Sequence, residues 1–217
     1  MRTEKIEGIG SISGGEYDRV EIEGVGSIKG DMKAAVLYID GVCKCHGTIE
    51  SSEFICSGVA NLSKSIRAKN IKIDGVVNQG RANIEADDIF CDGVLLSSGE
   101  ISADRILVDG CVSTPEMYGD NIKIIHCVKS NVNIKIPNFF GIFGDRKNIS
   151  QFSCVDVIEA TNLELHGVKA KSVSGNTILI GPNCEIDQVE CNGILKIHSS
   201  AKVNKIDGVN PTEWDIN

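Results

Sequence analysis

The chain has 217 residues with a net charge of −8, 41% hydrophobic residues and 24% charged residues. This composition supports a packed core and excludes an extensively disordered chain, while the acidic balance has the wrong sign for nucleic-acid binding. No apolar run approaches the length of a membrane-spanning helix, about 18 residues.

The first ten residues, MRTEKIEGIG, lack the apolar core of a signal peptide and any lipidation motif. They predict a cytoplasmic protein, with a peripheral position at the inner face of the membrane left open. Nine cysteines, an odd number without an export signal, read as reduced thiols rather than a disulfide framework.

A unit of the form apolar-x-Gly-apolar begins at Ile6-Glu7-Gly8-Ile9 and recurs through Ile22-Glu23-Gly24-Val25, Ile39-Asp40-Gly41-Val42, Cys56-Ser57-Gly58-Val59 and Ile73-Asp74-Gly75-Val76. It continues at Cys91-Asp92-Gly93-Val94 and Val108-Asp109-Gly110-Cys111. The glycines from Gly8 to Gly110 are 16, 17, 17, 17, 18 and 17 residues apart. A second anchor, Ile-x-Ala, precedes several copies, as in Ile66-Arg67-Ala68, Ile84-Glu85-Ala86 and Ile101-Ser102-Ala103.

Alternating apolar and polar residues before each glycine predict strands with one buried face, and the glycine reads as a turn residue using positive φ. A period near 17 is too short for helical repeats, which leaves stacked coils of about three short strands, a parallel β-helix. Stacking at about 4.8 Å turns like residues into ladders. The ladders two residues before and one residue after the glycine both read as inward aliphatic spines, with cysteines as small hydrophobes.

From Val112 to Ile136 the pattern weakens, with His126 standing where a copy would carry glycine. Residues 137–153, PNFFGIFGDRKNISQFS, hold four of the six Phe and read as an insertion or cap. The first β-helical block is therefore 1–136 and the second 154–217. The second block carries Ile158-Glu159-Ala160, Leu165-His166-Gly167-Val168, Cys191-Asn192-Gly193-Ile194 and Ile206-Asp207-Gly208-Val209 at irregular spacing. The only tryptophan, Trp214, reads as a cover for the last coil.

The tandem Ile-Asp-Gly-Val copies, the Ile-x-Ala elements and the absence of helical pattern resemble the bactofilins, polymer-forming bacterial cytoskeletal proteins. The resemblance is strongest from Gly8 to Gly110 and returns from Ile158 to Gly208. It implies an all-β, right-handed parallel β-helix that polymerises end to end without nucleotide and acts as a scaffold in cell shape, motility or protein positioning.

End-on stacking places assembly on Ile6, Ile9, Ile12, Val20 and Ile22 at one end and on Ile194, Ile197, Val203 and Ile206 at the other, because only terminal coils expose unpaired strand edges. Nothing before Ile6 reads as a cap. The alternative is a soluble β-helical adaptor, monomeric or dimeric, that binds a partner protein through Phe139, Phe140, Ile142 and Phe143.

The residue before the repeat glycine is acidic at Glu7, Glu23, Asp40, Asp74, Asp92, Asp109 and Asp207. Paired carboxylates suit divalent cations, but turn chemistry is the reading preferred here. Cys43, Cys45 and His46 lack a second half-site for zinc, and Cys45 aligns with Ile28 and Leu62, so a core role is expected. His46, His126, His166 and His198 are single and differently placed in their copies, and the 17-residue unit does not satisfy the hexapeptide rhythm of aliphatic residues in β-helical acyltransferases. No catalytic residues, no metal and no cofactor are expected, and the partners are other copies of the chain and other cytoplasmic or membrane-associated proteins, with no nucleic acid and no small-molecule substrate.

Overall fold

The computed structural model describes residues 2–125 and 153–214. Seventeen strands form one parallel sheet wound into a β-solenoid of about 11 turns, with no helix among the described residues. The expected all-β, coil-on-coil architecture is present.

One turn shows how the sequence makes the coil. Strand β4 (Val42–Cys45) forms one face, and β5 (Ile49–Cys56) supplies two more by bending after Ser51. The ladder there pairs Ala34 with Ser51 and Val36 with Glu53, skipping a residue on each strand. Alternation carries Cys43, Cys45, Ile49, Phe54 and Cys56 inward, all at most 2% exposed, whereas consecutive Ser52 and Glu53 face solvent at the corner. Two successive outward residues reset the phase of a period-2 pattern.

The ladder two residues before the glycine is inward and nearly unbroken: Ile6, Ile22, Ile39, Cys56, Ile73, Cys91, Val108, Ile124, Leu165, Ile180 and Ile197. It crosses from β12 (Cys111–Ile124) to β13 (Ser153–Leu165), which pair directly, so the stack continues through the point where the repeat was interrupted. Each such aliphatic contributes about 1.5–3 kcal/mol when removed from water.

Three sequence expectations change. Cys191 and Ile206 do not belong to this ladder: Cys191 pairs with Gly175 and Gly208, and Ile206 stacks on Val189, continuing the anchor ladder of Ile158 and Val173. Coil lengths of 15 residues from Leu165 to Ile180 and 17 from Ile180 to Ile197 hide this register from motif matching.

In the first block the ladder just after the glycine faces outward, not inward, whereas Val168 of the second block is fully buried opposite Ser153, as expected. Ile9 is 90% exposed and Val25, Val42, Val59 and Val76 are half-buried, while the next residues, Cys43, Ala60, Val77 and Leu95, fill the interior. Where both neighbours are apolar, alternation alone does not say which one is inside.

The repeat glycines of the first block, Gly8 to Gly110, are not turn residues with positive φ, whereas Gly167 and Gly208 of the second block take it as expected. Among the described glycines only Gly15, Gly30, Gly167 and Gly208 have it. The requirement is close stacking: a Cβ on Gly41 would lie 1.9 Å from the Gly24 oxygen, and one on Gly58 2.0 Å from the Gly41 oxygen. Those oxygens accept the N–H groups of Val42 and Val59 at 2.8 Å, so a methyl group would occupy the ladder bond itself.

The interior also carries polar rows. Gln79 stacks with Ser97 and donates to the Lys64 and Ala82 carbonyls, and Thr114 donates to the Gly99 carbonyl at 2.7 Å. Cys43, Cys45, Cys56, Cys91, Cys154, Cys184 and Cys191 are not in disulfides.

Candidate functional site

The two ends of the stack differ in construction. At the first turn, β1 (Thr3–Ile6) pairs with β2 (Ile9–Ile22), and its other edge has no ladder partner among the described residues. Ile6 and Ile12 nevertheless are only 8% and 6% exposed, and Val20 and Ile22 in the second row are fully buried.

A polar lid lies over this end. Glu4 occupies the row above Val20, an inward position elsewhere held by Leu37 and Phe54. Its carboxylate accepts from the Arg2 guanidinium at 2.9 Å, and that guanidinium stacks over the Tyr17 ring at 5.0 Å. Tyr17 is 7% exposed, donates its hydroxyl to the Ser13 carbonyl at 2.8 Å, and heads a ladder whose other members are small, such as Ala34 and Ser51. The expectation that nothing before Ile6 forms a cap is corrected. The signal was present as a charged residue sixteen positions before an inward valine, yet it needs the register to be seen. An inward charge at a terminal row is a known way to blunt a sheet edge.

The last turn is more open. In β15 (Glu185–Ile197) and β16 (Lys202–Gly208), Ile197, Val203 and Ile206 sit in inward columns but remain half-buried. Ile194 points outward at 54% exposure, as Ile9 does at the first turn, so neither side chain lines the stacking columns. Strand β17 (Thr212–Glu213) pairs with Lys196 and Ile197 and covers part of that edge. Trp214 does not lie over the last coil: its ring meets His166 edge-on at 5.9 Å, and Gly181 leaves the space that His166 needs. His166 also approaches Glu164 at 3.2 Å.

Phe139, Phe140, Ile142 and Phe143, with His126, lie outside the described residues. Glu7, Glu23, Asp40, Asp74, Asp92 and Asp109 form an exposed outer column, while Asp207 belongs to another, paired with Glu190. Lys5 bridges Glu7 and Glu23 at 2.9 and 3.1 Å and holds the Glu7 carboxyl below its usual range. Lys72 likewise pairs with Asp74, so Glu7, Glu23 and Asp74 of this column are ion-paired.

Cys43 and Cys45 are fully buried with sulfurs 3.5 Å apart, stacked with Gly26, Ile28, Ala60 and Leu62, in the expected core role. Burial pushes the Cys56 and Cys91 thiols up to about 12. Among the described residues, no three His, Cys, Asp or Glu side chains gather as a metal site.

No family model matches the chain, and no solved structure matches it. A stretch of 48 residues, 22% of the chain, is 44% identical to YhbE of Bacillus subtilis, an uncharacterized protein, and spans 20% of that relative's length.

Proposed function

We propose that the protein is a non-enzymatic cytoplasmic scaffold of the bactofilin type that assembles end to end, the last turn of one copy stacking on the first turn of the next. The observation that carries this reading is the half-buried aliphatic surface of Val203 and Ile206 on β16, whose outer edge has no strand partner among the described residues. Unpaired backbone groups and exposed apolar columns at one level favour continuation of the ladder by another chain. The Arg2–Glu4–Tyr17 lid sets a cost on the opposite face, because stacking must desolvate Glu4 or move it aside.

Sedimentation and electron microscopy of purified protein, without nucleotide or metal, test the reading. Pelletable polymer is expected, and Ile206→Arg should abolish it while circular dichroism stays β-rich. Glu4→Leu should lower the concentration needed for assembly. A monodisperse monomer at tens of micromolar in both the parent and Glu4→Leu proteins would overturn the proposal.

A further inference from the structure

The outward ladder of Ile9, Val25, Val42, Val59 and Val76 is an apolar stripe that the core does not use. Five rows at about 4.8 Å give it a length of about 19 Å, and it ends where Val94 in the next row becomes buried. Two residues away, across the glycines, runs the exposed column of Glu7, Glu23, Asp40, Asp74 and Asp92. Asp40 and Asp92 have no cation partner among the described residues. The opposite flank begins with Ser11, Ser27 and Lys44.

We propose that this stripe docks a basic amphipathic helix of another protein, aliphatic side chains on the valines and Lys or Arg against the carboxylate column. The backbone groups of every internal row are already consumed by the rows above and below, so a partner cannot add a strand here. It must present side chains at matching intervals. A helix does so with a pitch of 5.4 Å, near the row spacing, and about 13 residues span the stripe. Charge selects among occupants: anionic lipid surfaces are repelled by the carboxylates, and a second copy docking by the same face would bring two acidic columns together. The inference is independent of end-on assembly, since the stripe runs along the side of the stack.

Fluorescence anisotropy with a labelled 18-residue Leu/Lys amphipathic peptide, against a Leu/Glu peptide of the same apolar pattern, tests this on the full chain. Saturable binding of the Leu/Lys peptide alone is expected. Val42→Lys should weaken it at least tenfold, and Asp40→Asn with Asp92→Asn a few-fold. Val25→Lys is the second stripe variant, and melting temperatures verify that each variant is folded. The proposal is overturned if the stripe variants bind as the parent does, if both peptides bind equally, or if Asp104→Asn with Asp120→Asn weakens binding as much as the Asp40 and Asp92 pair. It is also overturned if vesicles containing one-third phosphatidylserine bind through Val42 in place of the peptide.

Discussion

The first block keeps its period by stacking glycine on glycine, whereas the second keeps its fold without that device. From Gly24 to Gly110, every repeat glycine would place a Cβ within 2.2 Å of the preceding repeat glycine's oxygen. In the second block Gly167 has φ +61 with nothing near its missing Cβ, and Gly181 faces the His166 ring instead. The inward ladder nevertheless passes from Val108 through Ile124 and Leu165 to Ile180 and Ile197. The fold is thus specified by aliphatic columns and ladder bonds, and the glycine ladder is one way of tightening a corner.

The strongest test of that view is an inward charge. Ile73 is 1% exposed in the middle of the first block, so Ile73→Arg buries an unpaired cation and should unfold the chain in circular dichroism. Ile9→Arg, on a side chain 90% exposed, should leave the melting curve unchanged. Comparable loss of structure in both would break the assignment of inward and outward columns.

Glycine substitutions separate the two blocks directly. Gly58→Ala drives a methyl into the Gly41 carbonyl and forces adjacent rows apart, a loss of about 3 kcal/mol by analogy with overpacked cores. Gly167→Ala meets no atom within 4 Å and loses only the cost of a left-handed backbone, about 1 kcal/mol. Gly8→Ala, with open space and ordinary φ, should be neutral. Urea denaturation of the three variants reads the order, and equal effects at Gly58 and Gly8 would sink the stacking argument.

Buried thiols give a pH dependence of known sign. Burial raises Cys56 and Cys91 to about 12 in the folded chain, above the ordinary thiol value. The folded state therefore holds its protons where the unfolded state releases them. Their contribution is complete below about pH 8.5 and is lost as pH rises toward 12. Cys56→Val should be nearly neutral at pH 7, as volume-conserving changes are, and should lessen the alkaline fall in melting temperature. Rapid labelling of both thiols in the folded parent would contradict their inward placement.

Much of this architecture was legible because a 17-residue period with alternating Ile and Gly admits few folds. The pairing of Ile22 with Ile39, Cys56 and Ile73 follows from simple alignment. The second-block register was not legible, since coils of 15 and 17 residues bring Ile180 and Ile197, which lack the repeat glycine, beneath Leu165. The Val42 side was hidden because Cys43 is also apolar. The lid was hidden because Glu4 acquires its meaning only once it lies above Val20, and Tyr17 only once Arg2 returns across it.

The smallest expected effect concerns an outer charge column that also divides the blocks. Glu16, Lys33, Glu50, Arg67 and Glu85 alternate in sign down consecutive rows, and Arg67 bonds Glu85 at 2.9 Å through Nε. A slip of one row would set like charges side by side, so the column supports the register of the first block. In the second block the same column holds Glu159, Ser174, Glu190 and Asp207 and has no alternation to protect. Glu50→Lys places three cations in consecutive rows and should lower the melting temperature by roughly two degrees at low salt, with the loss shrinking at high salt as exposed charges are screened. Glu190→Lys, between Ser174 and Asp207, removes a like-charge neighbour and should raise stability slightly under the same conditions. A loss at Glu50 that persists at high salt would mean that packing, rather than charge order, makes that row sensitive.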